Sequence, residues 1–172
     1  RDGKRYKTIT IGTQTWMAEN LAYLPSVSPP SEGSDTDPHY YVYGYEGSSV
    51  SEARETDNYS TYGVLYNWPA AVNACPAGWH LPTDDEWTQL TDFLSDNGYY
   101  DLGTVLKSTS LWDGNVAGTD NIGFTALPGG NRNSNGNFHG IDRRGDWWSA
   151  TKDYDYKTWW RNMSVSNSQV IR

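Results

Sequence analysis

Cys75 is the one thiol of the 172-residue chain, and His80, one of three histidines, follows it closely. A thiol beside an imidazole could serve as a nucleophile activated by a general base. The residues around them point to a structural role. Pro76-Ala77-Gly78 reads as a turn, with proline fixing φ and glycine supplying a permissive backbone. Pro82 is a second stop, and Thr83 then stands where a helix N-cap belongs, with Glu86 three residues on in the capping-box arrangement. Asp84, Asp85 and Glu86 put negative charge at the positive end of that helix dipole. Cys75, Trp79, His80, Thr83, Glu86 and Trp87 are therefore read as turn, staple, cap and core anchor.

Other groups capable of chemistry are less ordered. Acids are numerous, yet nothing in their spacing singles out a pair suited to glycoside hydrolysis. Asn131, Asn133, Asn135 and Asp142 follow an EF-hand-like spacing with Gly136 at the sixth position. Asparagine stands at the first three ligand positions and the last ligand is Asp, so the loop carries too little charge for tight binding. It reads as an Asn/Gly-rich hairpin tip. No cofactor is expected, with weak calcium binding as the alternative.

The carboxy-terminal region holds the candidate binding residues. Trp147, Trp148, Trp159 and Trp160 place four of the nine tryptophans within fourteen positions. Alternation along 158–165 sets Trp159, Arg161, Met163 and Val165 toward the core, where Arg161 requires a carboxylate or carbonyl partner. Trp160, Asn162 and Ser164 then face solvent, and an exposed indole beside small polar groups suits sugar stacking or protein contact. Tyr154, Tyr156, Arg143, Asn133 and Asn135 join this ligand-binding set from neighbouring loops.

The elements that must position these residues can be read along the chain. Residues 5–11 alternate as a strand closed by Gly12, and Thr15 to Leu21 reads as its hairpin partner. Residues 25–61 carry seven acids against Arg54 and read as an acidic surface insertion, interrupted by Tyr40-Tyr41-Val42-Tyr43-Gly44-Tyr45 as a short strand at the core edge. A helix is expected around 64–72, with Pro69 tolerable only in its first turn. The helix from Asp84 to about Asn97 has Trp87, Leu90 and Phe93 or Leu94 on one stripe and ends at Asn97-Gly98. Phe124 to Leu127, Trp147 to Thr151, Thr158 to Val165 and Ser168 to Arg172 read as strands. Two helices followed by strands predict an α+β domain with a mainly antiparallel sheet.

Composition narrows the function classes. Hydrophobic residues are 36% and aromatics 15%, so a few large amphipathic rings supply the burial. That composition resembles many extracellular carbohydrate- or protein-binding domains. A net charge of −8, with no run among the thirteen Lys and Arg, argues against a nucleic-acid partner. No stretch approaches membrane-spanning length, so this segment is not expected to insert in a membrane. The chain opens at Arg1 and reads as a trimmed fragment, so missing targeting signals say nothing of its compartment.

Several segments together resemble the FISUMP family, the Fibrobacter succinogenes major paralogous domain of secreted and surface bacterial proteins. They are Tyr6-Lys7-Thr8-Ile9, Ile11-Gly12-Thr13-Gln14-Thr15-Trp16-Met17-Ala18-Glu19-Asn20-Leu21, Tyr62-Gly63-Val64-Leu65-Tyr66-Asn67-Trp68, the Cys75 to Trp87 stretch, Gly123 to Gly130, and Trp147 to Thr151. The resemblance implies a C-type-lectin-like fold of the branch that houses formylglycine-generating enzymes, whose Arg-Leu-Pro-Thr-Glu-Ala-Glu-Trp signature is similar to Gly78 to Trp87. That enzymatic reaction needs paired cysteines to hold copper, and Cys75 stands by itself in the sequence. The resemblance also implies a further core strand ending in cysteine beyond Arg172, so a disulfide or strand partner for this single domain is expected there. The expectation is a non-enzymatic extracellular or cell-surface binding module for a carbohydrate or surface protein. A structural subunit of a surface assembly is the alternative, and a diverged enzyme of that branch comes third.

Overall fold

Gly12, at φ +60°, turns the chain between β1 (Thr8–Ile11) and β2 (Gln14–Met17), which pair antiparallel from Ile11↔Gln14 to Thr8↔Met17. This hairpin is shorter than the alternation along 5–11 and 15–21 predicts, and it seats Ile11 and Trp16 in the main core. The computed structural model describes residues 3–114, 117–153 and 157–172.

Residues 25–61 are more than an acidic excursion. Their acids Glu32, Asp35, Asp37, Glu46, Glu52, Glu55 and Asp57 are exposed. Val27, Tyr40, Val42 and Ala53 from the same segment are buried with Leu24, Val64 and Ala70 in a second hydrophobic core. Within the segment, β3 (Tyr40–Tyr41) pairs with β4 (Leu65–Tyr66), while α1 (Val50–Arg54) and α2 (Asp57–Tyr62) start at the N-caps Ser49 and Thr56. The tyrosine patch is thus a strand at the core edge, with Tyr40 and Tyr41 both buried.

The helix expected over 64–72 is interrupted. Leu65 and Tyr66 are taken by β4, and α3 (Trp68–Ala74) begins only after Asn67, whose Oδ1 accepts from the Ala70 N–H at 3.2 Å. Pro69 falls in the first turn, where its missing N–H costs nothing. Next comes α4 (Asp84–Asp96), with Trp87, Leu90 and Leu94 buried and Phe93 exposed. The short α5 (Leu102–Leu106) follows. Lys107, just past it, donates from Nζ to the carbonyls of Ser164 (2.5 Å) and Asn167 (2.9 Å) and lies over the Trp112 ring. Burial holds its ammonium below the usual lysine pKa.

Five strands form the principal sheet: β5 (Gly129–Arg132), β6 (Phe138–Ile141), β7 (Arg144–Lys152), β8 (Thr158–Ser164) and β9 (Asn167–Ile171). Their spatial order is β6-β5-β7-β8-β9, antiparallel except for β5 beside β7. The chain is therefore α+β with mostly antiparallel sheets. Phe124 to Leu127 does not form the expected strand and contributes one isolated bridge, Lys107↔Ala126. Thr125 sits at φ +56°, held there by Asp120, whose carboxylate accepts from both its N–H and its hydroxyl.

α4 lies against the inner face of β7 and β8, and the main core gathers there around Trp16, Trp87, Trp112, Phe124 and Met163. The Trp87 indole N–H is sealed in this core without a hydrogen-bond partner among the described residues. None of the described helices is long and apolar enough to cross a membrane.

Candidate functional site

β8 alternates as its sequence predicts. Arg161 and Met163 are buried against α4, and Trp160, Asn162 and Ser164 project from the opposite face. Arg161 finds its carboxylate 77 residues away: NH1 donates to Asp84 Oδ1 at 2.6 Å, and NH2 to the Asp84 carbonyl and Thr88 Oγ1. Asp84 Oδ2 also meets Arg172 at 2.8 Å. The buried pair holds Arg161 on the inner face, and alternation along the strand then orients Trp160 and Asn162 outward.

On the outer face one row of residues crosses the whole sheet. Strand register aligns His139 of β6 with Asn131 of β5, Asp146 of β7 with Asn162 of β8, and Asn162 with Ile171 of β9. Asp146 is the node that joins these pairs. Arg144 grips it with a fork, Nε to Oδ2 and NH2 to Oδ1, both at 2.8 Å. Asn131 Nδ2 donates to Oδ2 and Asn162 Nδ2 to Oδ1, again at 2.8 Å. An ionised carboxylate accepts only, so both amides must turn their NH2 groups inward. Their carbonyl oxygens are left without a protein partner among the described residues, and neither is sealed from solvent. Gly140 provides the room for Arg144, since a Cβ there would lie 2.6 Å from Arg144 Cγ.

Next to this polar row stands the aromatic one. Trp160 is 45% exposed and pairs across the strands with half-buried Trp148, whose indole N–H donates to the Tyr66 carbonyl at 2.7 Å. Ile171 is exposed beside Asn162. Trp159, on the other face, lies beneath the Arg172 guanidinium, 3.9 Å from the ring centre. An indole platform thus borders a hydrogen-bonding row whose side chains are held by one another.

The expected ligand-binding residues fall into separate places. Trp160, Asn162 and Ser164 share the outer face, Ser164 Oγ being engaged with Ser166. Arg143 lies at the β6–β7 turn, beside Arg144 and remote from Trp160, and forms an ion pair with Asp113. It rims an open hollow of about 490 Å³ with Leu111, Trp112, Ile141 and Asp142. Asn133 and Asn135 occupy the β5–β6 turn, where Asn133 Oδ1 accepts from the N–H groups of Asn135 and Asn137. That turn packs on another part of the chain: a Cβ on Gly136 would lie 2.5 Å from the Pro30 carbonyl. Tyr154 and Tyr156 lie outside the described residues.

The EF-hand-like spacing does not produce a common cage. Asn131 is committed to Asp146, Asn133 to its own turn, and Asp142 to Tyr62, whose hydroxyl donates to Oδ1 at 2.5 Å. Burial first, and the Asp142 carboxylate second, push the Tyr62 hydroxyl above its usual pKa and keep it the donor. Among the described residues, no group of three or more His, Cys, Asp and Glu is placed to hold a metal ion.

The Cys75 to Trp87 stretch takes the geometry its residue types suggest. Cys75 is the half-buried C-cap of α3, and the Trp79 N–H closes the turn on the Pro76 carbonyl. Thr83 and Glu86 form the complete capping box, with Thr83 N–H to Glu86 Oε2 at 2.7 Å and Glu86 N–H to Thr83 Oγ1 at 3.2 Å. His80 is exposed and bonds Glu86 Oε1 through Nε2 at 2.8 Å. Burial alone would raise the Glu86 pKa, but hydrogen bonds from the Thr83 N–H, His80 and the Thr83 hydroxyl outweigh it and hold the carboxyl below the usual value. Trp87 is a fully buried core anchor.

Sequence reasoning missed Arg144, Asp146 and Ile171, and placed Asn131 only in the cation loop. The period-2 pattern of Arg144, Asp146 and Trp148 was the available signal. What it lacked was the strand order that brings β5 beside β7. In comparison with known proteins, no curated protein and no solved structure matches the chain. The Fibrobacter succinogenes major domain (Fib_succ_major) matches residues 9–172, spanning both cores and the whole of the principal sheet, and the chain belongs to that family.

Proposed function

We propose that this domain is a non-enzymatic binding module, extracellular or on a bacterial cell surface, that holds a carbohydrate or protein ligand on the outer face of β7 and β8. The observation that carries the reading is Trp160, a large indole left 45% exposed on a regular strand beside the Asn131–Arg144–Asp146–Asn162 row. A ring so placed gains by covering its face, and a polar row held by its own ion pair loses little conformational freedom on binding. The roles of Cys75 as a helix cap and His80 as a partner of Glu86 support a non-catalytic reading, because the thiol and imidazole are built into turn and cap. The C-type-lectin-like relationship is part of this proposal and rests on the family resemblance.

Replacement of Trp160 by Ala tests it. Half of the ring is already in water, so the fold should persist, with an unchanged circular dichroism spectrum and a small shift in Tm. Binding to a glycan or surface-protein ligand, measured by calorimetry or array, should be lost. A W160A protein that unfolds, or that binds as well as the parent, would show that the ring belongs to the scaffold.

A further inference from the structure

The row on the outer face carries more information than the exposed ring does. We infer that its ligand is a neutral oligosaccharide, longer than one sugar ring, read by the amide oxygens of Asn131 and Asn162; this rests on the Trp160 site proposed above.

The argument starts at Asp146. Its four lone-pair positions are filled by two donors from Arg144 and one from each asparagine amide. The negative charge is therefore already answered, and so is the positive charge of Arg144. What the row offers outward is a pair of carbonyl acceptors. An acceptor pair selects ligands that donate, and sugar hydroxyls donate while still accepting from a neighbouring water. A carboxylate or sulfate group can only accept, so it would face two carbonyl oxygens on a domain of net charge −8.

Spacing sets the size. Asn131 and Asn162 reach in from the strands on either side of β7 and meet on one carboxylate, which keeps their amide nitrogens within about 8 Å of each other. Trp160 lies two residues from Asn162 along β8, about 7 Å further along the same face. A ligand that covers the indole and reaches both amides spans more than a single pyranose. A peptide fits this surface less well, because extended peptides pair with sheet edges and this is a face. The β9 edge is in addition obstructed near Gln169, whose carbonyl lies against Gly103 of α5.

The test is calorimetric titration of the whole chain with neutral hexasaccharides of glucose, mannose and N-acetylglucosamine, and with hexagalacturonate as the anionic counterpart. At least one neutral hexamer should bind and hexagalacturonate should not. Asn131→Ala and Asn162→Ala should each weaken the neutral ligand about tenfold, the loss of one hydrogen bond, and W160A should abolish binding. Preference for hexagalacturonate, lost in W160A, would overturn the ligand class and leave the Trp160 site standing. Neutral binding that survives W160A would overturn the site itself. Neutral binding unchanged by both asparagine variants would remove the amides from recognition. Failure of every hexasaccharide to bind would overturn the inference, and a protein ligand dependent on Trp160 would then be the surviving form of the site. The parent protein's choice between neutral and anionic hexamers stands whether or not a variant folds.

Discussion

Asp84→Ala should be among the most damaging single changes to this chain, for a reason that can be worked through. Asp84 and Arg161 are almost entirely removed from water, with side chains 9% and 4% exposed, and their atoms meet at 2.6 Å. Removing the carboxylate leaves a guanidinium in the core with only the residue-84 carbonyl and Thr88 Oγ1 to satisfy it. Breaking a buried pair in this one-sided way costs about 3–5 kcal/mol. For a chain of this length that lowers Tm by about 10 °C. Arg172, half-exposed on the other carboxylate oxygen, adds little to the total. Urea denaturation of Asp84→Ala, Arg161→Met and the double variant provides the assay. The double variant should recover much of the loss, because it removes both charges from the core. If Asp84→Ala costs less than about 1 kcal/mol, as an exposed pair would, then the pair is not what orients β8, and the account of how Trp160 is aimed fails with it.

Two further outcomes follow from the same geometry. The Glu86 carboxyl is held below its usual 4.5 in the folded chain, so its contribution is fully present above that value and is lost as pH falls through the lowered one; a Tm series from pH 7 to pH 3 should fall on the acid side, and Glu86→Gln should flatten part of that limb. Gly103→Ala should destabilise by about 1–3 kcal/mol despite the better helix propensity of alanine, because its Cβ would lie 2.6 Å from the Gln169 carbonyl; a urea midpoint equal to the parent's would mean that α5 does not press on β9.

Local features were legible in the sequence. The Thr83–Glu86 box, the stripe of Trp87, Leu90 and Leu94, the hairpin around Gly12 and the alternation along β8 each depend on residues a few positions apart. The features that failed depend on distance or on an unusual backbone. Nothing near Arg161 announces Asp84 as its partner, and Phe124 to Leu127 has strand composition but is bent at Thr125 by a carboxylate five residues earlier. The acids of residues 25–61 are outside as expected, yet their density concealed the apolar residues that build the second core. The site followed the same rule. Trp160, Asn162 and Ser164 came from one strand's periodicity, whereas Asp146 joined them through the antiparallel pairing of β7 with β8 and Asn131 through the parallel pairing of β5 with β7.

The two cores carry different chromophores. The first buries Trp16, Trp87 and Trp112, and the Trp87 indole N–H has no hydrogen-bond partner there. The second is lined by Tyr23, Tyr40, Tyr45, Tyr59 and Tyr66. Short-wavelength indole emission therefore reports on the helix-and-sheet core, against which Tyr99 also packs, and tyrosine bands in near-ultraviolet dichroism report mainly on the other. Coincident melting of the two signals would make the domain one cooperative unit. Separate melting would make the segment around β3 and β4 an independently dissolving wall beside a persistent five-stranded sheet.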